Sequence, residues 1–216
     1  VRVIASVFGF DSDEFADAAR AGQDAGAIAV ELNVSCPHVE EVGVEIGQSP
    51  RRVAEVVKAV KNRVNIPVIA KLTPNVTSIQ EIAKAAEAAG ADVLCAVNTA
   101  LGMAIDIEAA RPILGGVFGG LSGPALRPIA VRAVYQVVEA VKIPVIGAGG
   151  ISIWKDAVEF LMAGASAVEI GTAVAAEGVG VFDQVSRGIS NFLLEHGYRS
   201  VREIVGIAHK TQVPAS

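Results

Sequence analysis

The chain has 216 residues, of which 52% are hydrophobic and 5% aromatic, and its formal net charge is −5. This length allows one domain with a sizeable core, and small aliphatic residues must fill most of it, as they do around a buried parallel sheet. No block of like charge indicates a nucleic-acid or membrane surface, no apolar run reaches the roughly 18 residues that cross a bilayer, and residues 1–5 do not resemble a signal peptide.

Apolar runs of strand length alternate with longer amphipathic stretches along the chain. In chain order, the pattern predicts strands over 2–8, 27–34, 67–73, 91–98, 143–148 and 166–171, and helices over 12–25, 50–64, 78–89, 127–141, 153–163 and 179–196, with a short tail helix near 200–208. Asp11 with Glu14 and Ser78 with Glu81 are typical of capping boxes at helix starts. Helices are predicted to end at Gly26, Gly90, Gly164 and Gly197.

Strict alternation of strand and helix predicts a parallel sheet, which is either an open doubly wound sheet or a closed (β/α) barrel. The glycines favour the barrel, because Gly149-Gly150 and Gly171-Thr172 follow the last two strands, where barrels commonly bind phosphate. If these strands are numbers seven and eight, the first strand is number three. We therefore expect an α/β protein of the TIM (β/α)8 barrel class with only about six β-α units, lacking the first two.

A cysteine follows the second predicted strand and is itself followed by a proline. Pro37 holds Cys36 in an extended conformation beside Asn33, and a thiol next to an amide suits acid–base chemistry on a small hydrogen-bonding molecule. The alternative is an inert, buried cysteine, which is also our interpretation of Cys95 in the middle of the fourth strand. His38 is interpreted as a surface loop residue. With two cysteines in different strands no disulfide is expected, so we expect a cytoplasmic protein.

Three polar side chains near strand ends are further candidates. Lys71 could form a structural ion pair with Glu31, face a bound anion, or form a Schiff base with a substrate. Asn33 and Asn98-Thr99 come at matching depth in two strands, and their amides could bind a cyclic imide or a pyrimidine edge. The alternative is that both asparagines only form turns. The sequence shows no metal-ligand spacing, so no metal is predicted.

One connection is unusually long. It runs from Thr99 to Arg127, is rich in glycine and has little helical pattern. Long loops at the strand ends of a barrel are usually functional.

Several of these segments together resemble the dihydroorotate dehydrogenases. The segment Asn33-Val34-Ser35-Cys36-Pro37 is similar to the active-site loop of that family, residues 97–106 to its substrate segment, and residues 119–124 to its glycine loop. Residues 147–151 and 170–173 are similar to its phosphate-binding turns. The form of residues 97–106 most resembles the class 1, type B catalytic subunit, which works with a partner subunit carrying FAD and an iron–sulfur cluster and passes electrons to NAD.

The resemblance implies a single, partial barrel domain over 1–216 that binds flavin mononucleotide (FMN) and oxidises dihydroorotate to orotate in pyrimidine biosynthesis. It implies that Cys36 is the general base that takes the C5 proton, while the C6 hydride goes to the flavin. The implied substrate-binding residues are Asn33, Asn98 and Thr99. The implied cofactor-binding residues are Ser6, Asn33, Lys71, Val97, Gly123, Gly149, Gly150, Gly171 and Thr172. A homo-oligomer or hetero-oligomer is expected.

Three features depart from the family pattern. The first two β-α units of the family, which include a substrate-binding lysine, have no counterpart here. Ser6 stands in a strand where members of the family often have an asparagine. His38 likewise stands where many members have an asparagine after the Cys-Pro pair. Two other functions stay open from the residues alone. One is a phosphate-binding barrel lyase or aldolase that uses Lys71 as a Schiff base, and the other is a non-catalytic partial barrel that acts as a scaffold.

Overall fold

The computed structural model describes residues 1–34 and 46–210, and all structural statements below refer to these residues. The strands are β1 (Ile4–Val7), β2 (Ala29–Asn33), β3 (Val68–Leu72), β4 (Val93–Ala96), β5 (Ala100–Gly102), β6 (Ile105–Asp106), β7 (Arg111–Pro112), β8 (Gly119–Leu121), β9 (Val145–Ala148) and β10 (Ala167–Glu169). The α-helices are α1 (Ser12–Asp24), α2 (Pro50–Arg63), α3 (Ile79–Ala88), α4 (Arg127–Ala140), α5 (Trp154–Met162), α6 (Ala173–Glu177) and α7 (Gly180–Glu195). Short 3-10 turns cover Ile46–Gln48, Pro124–Leu126, Val201–Glu203 and Ile207–His209.

Six strands form one parallel sheet in the order β1-β2-β3-β4-β9-β10. Each of them lies inside a predicted strand, and the helices α1 to α5 and α7 begin and end within one residue of the predicted bounds. The alternation of apolar runs and amphipathic stretches thus predicted the element order correctly. Among the described residues, β1 and β10 are the two edges and do not pair with each other.

The main core lies between the outer face of the sheet and the helices. On β2, Val30 and Leu32 point to this side and are fully buried. Helix α2 packs against it with Val53, Val57 and Val60, which recur at helical spacing and are also fully buried. Burying a valine side chain contributes about 1.5 kcal/mol or more, so this apolar stripe stabilises the helix on the sheet.

The sheet curls strongly toward its other face. Glu31 on β2 and Glu169 on β10 are four strands apart, a separation of about 19 Å in a flat sheet. Yet their carboxylates bind the same Lys71 ammonium, at 3.2 Å and 2.6 Å. Such curvature is that of a barrel wall, and the fold is of the predicted TIM-barrel class.

The long connection after β4 differs from the loop that the sequence predicted. It contains two small antiparallel ribbons, β5 with β8 and β6 with β7. The ribbons have only two or three residues per strand, too few for a recognisable alternation of polar and apolar residues. Their apolar side chains, such as Ile105 and Leu121, are exposed.

Two predictions about helices need correction. No pattern in the sequence indicated helix α6, which is only five residues long. The predicted tail helix near 200–208 is wrong, because two 3-10 turns stand there, separated by Gly206 in a left-handed conformation (φ 70°) that no α-helix accommodates. No described helix is both long and apolar enough to cross a membrane.

Both side chains predicted to cap helix starts, Asp11 and Ser78, do so. The Asp11 carboxylate accepts hydrogen bonds from the backbone N–H groups of Asp13 and Glu14, and the Ser78 hydroxyl accepts one from Glu81. The Glu14 carboxylate, however, accepts from the N–H of Phe10 rather than from Asp11. The four glycines predicted to end helices all have positive φ.

Candidate functional site

A cleft of about 190 Å³ opens where β3, β4, β9 and β10 reach their carboxyl ends. Nine residues lining it were singled out from the sequence: Lys71, Val97, Asn98, Thr99, Gly123, Gly149, Gly150, Gly171 and Thr172. Five more lie in the segments that resemble the family's glycine loop and phosphate-binding turns: Ser122, Ala148, Ile151, Ile170 and Ala173. Two lining residues, Leu126 and Glu169, were not indicated by the sequence. Segments far apart in the chain therefore meet in one place, as expected for parallel strands whose carboxyl ends share an edge.

Glycine turns form one wall of this cleft. A Cβ added to Gly150, which has φ 79°, would lie 2.6 Å from the carbonyl oxygen of Gly123. Only glycine therefore lets the two backbones pack together at this point. A Cβ added to Gly171 would meet nothing within 4 Å, so it would project into open space. Main-chain N–H groups at such turns can bind a phosphate group.

A buried carboxylate braces the loop after β9. Asp156 is 4% exposed and accepts hydrogen bonds from the N–H groups of Ser152 at 2.9 Å and Ile153 at 3.0 Å. It also forms an ion pair with Arg127, at the start of α4. Asp156 thus holds the turn that follows Gly150 and links it to the helix that follows the Gly123 loop.

The two predicted amides meet on the other side of the cleft. The Asn98 side chain donates to the Asn33 Oδ1 atom at 2.8 Å and accepts from the N–H of Thr99 at 2.8 Å. The two side chains lie close enough to bind one ligand, as their matching depth suggested, although Asn33 is not among the residues that line the cleft. The two amides fix one another's orientation.

Asn75 holds this segment and was not singled out from the sequence. Its side-chain amide donates to the Thr73 hydroxyl at 3.0 Å and to the Thr99 carbonyl at 3.2 Å, and its oxygen accepts from the N–H of Leu101 at 2.9 Å. The available signal was an asparagine in the loop directly after a buried strand. Asn75 keeps Thr99 in place at the rim of the cleft.

Charged side chains form the floor. Lys71 donates to Glu169 Oε2 at 2.6 Å and to Glu31 Oε1 at 3.2 Å, and the Ser6 hydroxyl donates to the same Glu31 oxygen at 3.3 Å. The ion pair with Glu31 that the sequence allowed is therefore present. Glu169 was missed, and its only signal was an acidic residue inside a strand, where charged residues are rare.

The titration of this cluster follows from its geometry. Burial raises the pKa of Glu31, and the nearby Glu169 carboxylate raises it further, against the opposing effect of Lys71. Burial acts the same way on Glu169, but hydrogen bonds from Lys71 and Glu31 outweigh it and lower its pKa. Burial acts to lower the pKa of Lys71, but the hydrogen bond to Glu169 and the charges of the two carboxylates outweigh this and raise it. Lys71 is thus a stable cation.

Cys95 lies beside this cluster. It is fully buried, as predicted, and burial raises its pKa well above the ordinary value, so the thiol is neutral. Its sulfur and the carboxylate oxygens of Glu31 and Glu169 lie within 4.8 Å of one another, as they would around a metal ion. The Lys71 ammonium is the cation that these carboxylates bind.

Two other predicted residues stand apart from the cleft. Ser6 is exposed on β1 and reaches the site only through its hydrogen bond to Glu31. Cys36, the predicted base, lies outside the described residues, as does His38. The described chain stops at Val34, directly after Asn33.

Known proteins are similar to this chain over most of its length. The family model for dihydroorotate dehydrogenase matches residues 1–193. The chain is 57% identical to the "Dihydroorotate dehydrogenase B (NAD(+)), catalytic subunit" of Pyrococcus abyssi over 209 residues, covering 96% of this chain and 69% of the relative. It is 52% identical to the Methanosarcina mazei protein of the same name, covering 96% of this chain and 66% of that one.

A solved structure supports the fold. The dihydroorotate dehydrogenase of Eimeria tenella, crystallised with ferulenol, superposes with a TM-score of 0.78 at 23% identity, covering 93% of this chain and 58% of that one. At this identity the likeness concerns the fold alone. The match to the family model and the identity to these relatives together show that the chain belongs to the dihydroorotate dehydrogenase family.

Proposed function

We propose that the protein oxidises dihydroorotate to orotate in pyrimidine biosynthesis, with FMN bound in the cleft. The observation that carries this proposal is the convergence of the glycine turns, Lys71 and the Asn98-Thr99 segment on one cleft, in a chain 57% identical to a relative named for this reaction.

The residues of the cleft fit FMN. Gly149, Gly150, Gly171 and Thr172 offer main-chain N–H groups to its phosphate, and the space into which a Cβ on Gly171 would project leaves room for that group. Lys71 offers a positive charge at the floor, where the flavin ring would lie. When bound, FMN would supply the hydride acceptor, and its ring would gain negative charge.

Paired amides suit the substrate. Asn33 and Asn98 carry hydrogen-bonding groups that match the carbonyl and N–H groups of a pyrimidine ring, and Thr99 adds a hydroxyl. Because the two amides already hydrogen-bond to each other at 2.8 Å, their orientation is set before the substrate arrives. Cys36, three residues after Asn33, would remove the C5 proton as general base.

The lyase alternative is disfavoured by the charge on Lys71. A Schiff base forms from a neutral amine, whereas the two carboxylates raise the pKa of Lys71 and keep it protonated. An ammonium held in this way suits electrostatic stabilisation of an anion instead.

The relatives' names indicate how the electrons leave. The Pyrococcus abyssi protein is named as a catalytic subunit that uses NAD(+). We infer that this chain likewise works in the cytoplasm with a second subunit, which carries FAD and an iron–sulfur cluster and transfers electrons to NAD.

Anaerobic reduction of the bound flavin tests this function. The protein is loaded with FMN and mixed with dihydroorotate in a stopped-flow instrument, and loss of flavin absorbance and formation of orotate are followed. Both should occur in the wild type. Cys36→Ser should bind FMN with unchanged affinity but reduce it on the order of 10²-fold or more slowly, because general base catalysis contributes roughly that factor. An unreduced flavin would contradict the function, and unchanged kinetics in Cys36→Ser would contradict the base assignment.

A further inference from the structure

The floor of the cleft holds more acid than base. Glu31 and Glu169 both accept hydrogen bonds from the single Lys71 ammonium. Among the residues that the structure describes, the neutral Cys95 thiol on β4 and the Ser6 hydroxyl on β1 also face this cluster. With both carboxylates ionised the cluster carries a net charge of −1, and with Glu31 protonated it is neutral.

Lys71 stands at the boundary between this cluster and the cleft. Lys71 and Glu169 line the cleft, whereas Glu31 lies beneath them with its side chain only 7% exposed. An ammonium has three donors, and the carboxylates draw Lys71 toward the floor. Its distance from any anion in the cleft is therefore set by these two acids.

We propose that Glu31 and Glu169 are positioning residues of the reaction, which hold the Lys71 ammonium at the cleft floor. Their negative charge also disfavours binding of reduced FMN relative to oxidised FMN. The inference rests on the proposed function, because it requires FMN in the cleft. Neither carboxylate acts on the substrate; each acts through Lys71 and through its own charge.

The two acids should act over different ranges of pH. Because burial raises the pKa of Glu31, this carboxyl is the first of the pair to gain a proton as the pH falls. Glu169 stays ionised to lower pH, since hydrogen bonds from Lys71 and Glu31 outweigh the effect of burial and lower its pKa. The repulsion due to Glu31 should therefore grow as the pH rises, whereas that due to Glu169 should stay constant over the same range.

The midpoint potential of bound FMN tests this proposal. It is measured by dye equilibration in the wild type, in Glu31→Gln and in Glu169→Gln. Each substitution removes one negative charge and keeps the shape of the side chain, so each should favour reduced over oxidised FMN by about tenfold, a rise of about 30 mV for a two-electron couple. Lys71→Gln removes the positive charge and should lower the potential.

These opposite signs separate an electrostatic role from a structural one, which would shift all three variants in the same direction. Glu55→Gln is the matched control, because it removes a carboxylate from the exposed surface of α2, and its potential should equal that of the wild type. The Glu31→Gln effect should be larger at pH 8.5 than at pH 4.5, whereas the Glu169→Gln effect should change little between these two values. If one glutamine variant fails to fold, as judged by circular dichroism, the other and Lys71→Gln still decide the sign.

Failure of the inference can be told from failure of the proposed function. If wild-type FMN is reduced by dihydroorotate but both glutamine variants have the potential of Glu55→Gln, only the positioning role is overturned. If the wild type binds FMN that dihydroorotate does not reduce, the proposed function fails while the series of potentials still decides the role of the carboxylates. If the wild type does not bind FMN, both are contradicted.

Discussion

Replacing Gly150 by alanine should separate two sources of strain at the glycine wall of the cleft. Its φ of 79° is a left-handed conformation, which costs a residue with a Cβ about 1–2 kcal/mol. The new Cβ would also lie 2.6 Å from the Gly123 carbonyl oxygen and 2.9 Å from the Arg127 nitrogen. Both are backbone atoms, so neither can move aside by changing rotamer.

The magnitude follows from adding these two effects. Overpacking of this kind costs about 1–3 kcal/mol, so Gly150→Ala should lower the free energy of unfolding by about 2–5 kcal/mol in total. Gly26→Ala is the matched control, because Gly26 has φ 93° but a Cβ there would meet nothing within 4 Å. It should lose only the conformational part, about 1–2 kcal/mol.

Urea denaturation followed by circular dichroism measures both variants, with the slope of the unfolding free energy against urea expected to stay constant. Gly150→Ala should also lose affinity for FMN, whereas Gly26→Ala, at the end of α1, should keep it. If Gly150→Ala loses no more stability than Gly26→Ala, the close packing of the two glycine loops is refuted.

Three further predictions concern polar side chains. Asn75→Ala removes three side-chain hydrogen bonds and should lower the free energy of unfolding by about 2–3 kcal/mol; a loss below about 0.5 kcal/mol in urea denaturation would contradict this. Asp156→Ala should lower the free energy of unfolding by about 2–4 kcal/mol, because it removes a helix cap and leaves Arg127 without its buried partner. A loss as small as that of a surface substitution would contradict the role of Asp156 in holding the loop after β9. The folded pKa of Glu31 lies above its ordinary value of 4.5, so wild type should lose stability relative to Glu31→Gln as pH rises from 4.5 through that folded pKa. The folded pKa of Glu169 lies below 4.5, so wild type should lose stability relative to Glu169→Gln as pH falls from 4.5 through it; urea titrations that show the same sign for both variants would refute the assignment.

Local patterns predicted the elements of the barrel well. Strands such as β2 and β3 have continuous apolar runs, and helices such as α2 carry valines at helical spacing. Each of these elements can therefore be recognised from a few neighbouring residues. The ribbons β5–β8 and β6–β7 could not be predicted in this way. Each of their strands has two or three residues and depends on a partner elsewhere in the connection.

The site was predicted where its residues follow a motif and missed where it depends on curvature. The Gly149-Gly150 and Gly171-Thr172 turns each follow a strand, so their convergence could be inferred from parallel strand ends. Glu169 meets Lys71 across 98 positions of sequence and two intervening strands. Only the curl of the sheet brings them together, and no local pattern encodes that curl.

A comparison of the binding of FMN and riboflavin, which differ by the phosphate group, tests whether the glycine turns bind a flavin phosphate. Flavin fluorescence titrations are made on the wild type and on Gly171→Ala. A Cβ at Gly171 meets nothing within 4 Å, so this variant should keep its stability to within about 0.5 kcal/mol while filling the space assigned to the phosphate. The wild type should bind one FMN per chain, more tightly than riboflavin, and Gly171→Ala should lose most of this difference. Equal affinity of the wild type for FMN and riboflavin would contradict a flavin phosphate site in this cleft.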